Sequence, residues 1–110
     1  ANHFVFEQGG SFGISVTANI HPEACVEVWR QGYMNQDEQT AFETNRELKD
    51  LHNAMFQPGE KNPISVQYAL NLLGFDFGTP RMPLDRKPRQ DEEYQNQQEL
   101  KTVLEDHDLI

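Results

Sequence analysis

The sequence carries a single cysteine, Cys25, in 110 residues. One thiol cannot build an internal disulfide framework, and that usage fits a reducing cytoplasm. No apolar run approaches the roughly 20 residues of a membrane span, and the opening ANHFVFEQGG lacks a signal-peptide pattern. Cations are scarce as well. Nine Lys and Arg stand against eighteen Asp and Glu, a formal charge of −9. Nucleic acid and anionic membrane both demand a cationic footprint, so neither is an expected partner. The one basic run, RMPLDRKPR at 81–89, has no glycine loop or helix start beside it to hold a phosphate, and it reads as a solvated loop.

Chemical motifs are scarcer still. There is no GxSxG, P-loop, GxGxxG, HxxxH or CxxC. His3, His21, His52 and His107 are too scattered for a metal site, so no metal or cofactor is expected. Cys25 lies on an apolar helical face, where a small core residue is expected rather than a nucleophile. A Schiff-base lysine needs a desolvated site. Lys49, Lys61, Lys87 and Lys101 instead fall on polar helix faces or in loops. The chain therefore holds no complete catalytic constellation.

Seven Phe, three Tyr and one Trp supply material for one modest core. The mean hydropathy is −0.76, polar for a compact domain. A polar composition spread over long helices suggests a surface that expects a partner. Only Phe12-Gly13-Ile14-Ser15-Val16-Thr17 alternates with the period of a strand, and it is rich in β-branched residues. A lone strand leaves its backbone groups unpaired, so the rest of its sheet is expected on other chain. The opening in mid-pattern, without an initiator Met, reads like a cut.

Helix signals occupy the rest of the chain. A short helical tail is expected at 2–8. Pro22 suits the first helical position, His21 the N-cap, and Gly32 the cap past the end, with Cys25, Val28 and Trp29 as the apolar stripe. A second helix is expected from Asn35, with Glu38 completing a capping box. Its stripe runs through Ala41, Phe42, Asn45, Leu48, His52 and Met55. QPGEK (57–61) reads as a turn. Asn62-Pro63 gives an N-cap and a first helical residue, Val66, Ala69, Leu70 and Leu73 form a face, and Gly74 ends the helix. Residues 75–90 read as an extended connector. Asp91, Glu92 and Glu93 start a last helix, whose stripe is Leu100, Val103 and Leu104.

Two stretches carry a resemblance. GISVTANIHPEACVEVWRQG (13–32) and NPISVQYALNLLGFDFGTPRMPL (62–84) resemble the closing segment of the dihydrodipicolinate synthase family. That family belongs to the pyruvate-dependent lyases that include N-acetylneuraminate lyase. Residues 9–84 match as a series, from the glycine pair through S-V-T-A-N to N-P-I and R-x-P-L, and S-V-T-A-N points to the synthase branch. The resemblance implies an α/β parent, a TIM (β/α)₈ barrel followed by helices. A full barrel takes roughly 250 residues. This chain, mostly α, would hold only the last βα unit (1–34, helix tail, strand eight and following helix) and the C-terminal helical region (35–110).

The resemblance also implies the parent chemistry. A lysine on the sixth strand forms a Schiff base with pyruvate, the enamine attacks an aldehyde, and a tyrosine relays protons. Lysine and tyrosine both precede residue 1, so no catalytic residue is carried over. Ile14 matches the strand-eight residue whose backbone lines the pyruvate pocket, and it is the one substrate-binding assignment. Thr17, Ala18 and Asn19 lie toward the same strand end, where active sites of barrels sit; packing and helix lead-in explain them equally well. Three features depart from the pattern: FQPGEKNP is longer, Ser65 stands where proline is usual, and FGISV replaces G-V-I-S-V.

The leading expectation is a C-terminal piece of such a lyase, silent alone. Its expected partners are the missing barrel chain or copies of itself in a homo-oligomer, with pyruvate and an aldehyde as the parent's substrates. A second reading is a self-standing helical interaction module derived from that segment. A third, a small intact enzyme, would require pyruvate-dependent borohydride trapping on one of the four lysines.

Overall fold

Pro22 opens helix α1 (Pro22–Trp29) at its first position, behind His21 at the N-cap. The ring that proline adds costs no hydrogen bond there, because the first N–H groups of a helix have no intrahelical partner. The computed structural model describes Val5, residues 8–57, 62–84 and 90–110, the last stretch as backbone alone up to residue 94. Most of the tail expected at 2–8 lies outside these residues, as do 58–61 of the expected turn and 85–89 of the connector. The chain divides into two units, 1–49 and 50–110.

In the first unit, α1 packs against α2 (Glu38–Glu47) across a π-helical turn, Arg30–Met34. Cys25 and Val28 are buried, as expected, and Trp29 is half-buried with its ring 6.4 Å from that of Tyr33. Gly32 does not end the helix. The Asn35 N–H reaches the Arg30 carbonyl at 2.9 Å, so the turn widens and carries Gly32 buried inside it. The reversal falls instead on Gln36, at φ +52°. That moves the start of α2. Asp37, not Asn35, is its N-cap, and Glu38 is its first residue rather than the far end of a capping box.

The second helix is also shorter than its stripe suggested. Leu48 (φ −83°, ψ −2°) interrupts the ladder, and α3 (Lys49–Met55) comes after it. Ala41, Leu48 and Met55 are buried as expected. Beyond the break the inward face is Leu51, Ala54 and Met55. Phe42 and His52 are exposed, contrary to the stripe, and His52 stacks on Phe56 with centroids 4.6 Å apart. Ala41, Leu48 and Met55 keep heptad spacing across the break, and Leu51, at helical spacing from Leu48 and Met55, fills the inward position, leaving Phe42 and His52 at the edge of the stripe.

In the second unit, α4 (Ile64–Leu72) packs with α5 (Gln90–Asp106). Pro63 is the N-cap of α4, one residue later than the sequence placed it. Ser65, Val66 and Ala69 are buried on α4, Leu100 and Leu104 on α5, and Val103 is half-buried. Gly74, at φ +97°, ends α4 as expected. The Phe75 N–H bonds the Leu70 carbonyl and the Gly74 N–H bonds that of Asn71, the paired bonds of a Schellman cap. Asp108, at φ +55°, makes the same turn after α5, with Leu109 N–H on the Leu104 carbonyl.

No strand forms among the described residues. Residues 10–15 have no regular structure, and Val16 is already helical (φ −65°, ψ −41°) ahead of a 3-10 turn at Thr17–Asn19. The strand expected at 12–17 is therefore absent from the isolated chain. Its physical reason is the one the pattern raised: a strand exists by its ladder, and no second strand is present among the described residues to make one.

Candidate substrate-pocket segment

The segment that holds Ile14 is launched by a glycine pair. Gly9 sits at φ +75°, and the Gly10 N–H donates to the Val5 carbonyl at 2.8 Å. A Cβ on residue 10 would collide with Val5 Cγ1 and lie 3.0 Å from the Val5 carbonyl oxygen, so any larger residue requires Val5 to shift. From there the chain runs through Phe12 and Ile14, whose side chains are 76% and 96% exposed. These are large apolar groups with nothing over them among the described residues.

The exit from the segment is well tied. Ser15 Oγ lies 4.0 Å from Cys25 Sγ, linking the segment to α1. The Val16 carbonyl accepts both the Asn19 N–H at 3.1 Å and the Asn19 Nδ2 at 3.0 Å. The Thr17 carbonyl accepts the N–H groups of Ile20 (3.0 Å) and His21 (2.9 Å). Thr17 is buried, Ala18 half-buried and Asn19 exposed. The turn thus gathers 17–19 into the lead-in to α1 and leaves Ile14 apart from them. Sequence reasoning missed the double use of Asn19. Its signal was available, because an Asn side chain readily bonds nearby backbone groups.

The remaining titratable groups give no catalytic cluster among the described residues. Burial raises the Cys25 thiol above its ordinary pKa, with the Ser15 hydrogen bond opposing, so the group stays protonated near neutrality. Lys49 and Lys101 are exposed, without the desolvation that a Schiff-base amine needs. Lys61 and Lys87 lie outside the described residues. His21 Nδ1 is 3.6 Å from Glu23 Oε2, and His107 Nε2 is 2.9 Å from Asp50 Oδ1. Among the described residues no group of three or more His, Cys, Asp or Glu could hold a metal ion, and no helix is long and apolar enough to cross a membrane.

Comparison with known proteins gives a consistent picture. A model of the Dihydrodipicolinate synthetase family matches residues 4–106. The chain is 39% identical over 106 residues to the 4-hydroxy-tetrahydrodipicolinate synthase of Thermoanaerobacter sp. (strain X514), covering 96% of this chain and 33% of that protein. It is 41% identical over 95 residues to the enzyme of the same name from Methanopyrus kandleri, covering 86% and 30%. With that from Idiomarina loihiensis it shares 36% over 110 residues, covering 100% and 34%. The chain spans about a third of the length of these curated relatives. No solved structure matches it.

Proposed function

The chain belongs to the dihydrodipicolinate synthetase family, and from that membership we propose that it supplies the last βα unit and the C-terminal helices of a lyase condensing pyruvate with an aldehyde. The observation that carries this reading is the segment at 12–14. It has the alternation of a strand, exposes Phe12 and Ile14, and has no strand to pair with among the described residues. Such a segment becomes stable when sheet neighbours bond its edges and a helical layer covers its faces.

In this reading residues 1–34 close the barrel, and residues 35–110 pack as the helical region beside it. The Ile14 backbone lines the wall of the pyruvate pocket, and the turn at Thr17–Asn19 sets where that wall ends. The Schiff-base lysine and the proton-relaying tyrosine lie on chain outside these 110 residues. There the lysine amine condenses with the pyruvate carbonyl, releasing water. Loss of a methyl proton then gives the enamine that attacks the aldehyde carbon. The 110 residues alone are inactive in this reading, because the Schiff-base lysine and the tyrosine are not among them. The assembly is a homo-oligomer in the cytoplasm.

The test is borohydride reduction of the native product with and without pyruvate, read by intact and peptide mass spectrometry. The expected product contains this sequence and is roughly three times its length, given the 33% coverage of the first relative. It carries one reduced pyruvate adduct outside residues 1–110. A native product of 12.7 kDa without an adduct, or an adduct on Lys49, Lys61, Lys87 or Lys101, would overturn the proposal.

A further inference from the structure

We draw no further inference here: the strongest candidate, the exposed aromatic patch of Phe75 and Phe77 on the connector after α4, with ring centroids 5.8 Å apart, carries nothing because nothing in the structure shows what covers it.

Discussion

Asp37 uses both carboxylate oxygens on one residue. Oδ1 accepts the Thr40 N–H at 3.1 Å and Oδ2 accepts the Thr40 hydroxyl at 2.7 Å. Those bonds favour the ionised form and hold its pKa below the ordinary carboxylate value. A depressed folded pKa contributes stability above the unfolded pKa, and that stability is lost as pH falls through the folded value. Replacing Asp37 with Ala should lower the thermal midpoint at neutral pH, and the gap between the two proteins should close in acid. A gap independent of pH would mean that the carboxylate does not cap α2. Gly10 makes a different demand, for space. Gly10→Ala forces a methyl against Val5, an overpacking that costs on the order of 1–3 kcal/mol, read as a fall in urea midpoint at constant m. An unchanged midpoint would show that the turn gives way cheaply. Neither role was legible in the sequence: the glycine pair stood out only as part of the family resemblance, and Asp37 was overlooked. Asn35 offered an equally good cap chemically, and only the left-handed Gln36 between them decides which residue starts the helix.

Element ends were harder to read than elements, because each depends on which side chain captures a free backbone group. α4 shows the case where local chemistry suffices. Gly74 supplies the positive φ of its cap, and its position alone forecast the end of the helix. The anchoring of the connector beyond Gly74 was not foreseeable by periodicity. Asn71 Oδ1 accepts the Phe77 N–H at 2.9 Å while its Nδ2 donates to the Gly78 carbonyl at 2.8 Å. Gln67 Nε2 donates to the Phe77 carbonyl at 2.7 Å. The connector at 77–78 is thus bound to α4 by two amide side chains one turn apart, although it has no regular structure of its own. Asn71→Ala removes two of the three bonds, worth roughly 0.5–1.5 kcal/mol each. The expected outcome is faster hydrogen exchange at the Phe77 amide with α4 still helical by the same measurement. Unchanged protection at Phe77 would show that Gln67 and the Schellman cap already fix the connector. The helix broken at Leu48 is the converse. Its apolar stripe was visible, but the break left no composition signal, and His52 was placed on the inward face that Leu51 fills.

At the scale of the whole chain, the helices were legible because each buries its own stripe, and the strand was legible only as an unmet need. Alternation at 12–17 states which side chains want cover; it cannot state what provides it, and the described residues contain no answer. The family match covers residues 4–106, and the chain spans about a third of the length of its curated relatives. This makes Ile14 a discriminating position. In the 110-residue chain its side chain is 96% exposed, so Ile14→Ala removes no buried contact and should shift stability by less than about 0.5 kcal/mol. In a barrel the same side chain is enclosed on one face of a covered strand, and the substitution should cost roughly 2–5 kcal/mol. The comparison needs two denaturation series, one on the short chain and one on the full-length product, each with and without the substitution. A large effect confined to the longer protein is the expected result. Equal and negligible effects in both would mean that nothing encloses Ile14, and the assignment of residues 12–17 to a barrel strand would fall with it.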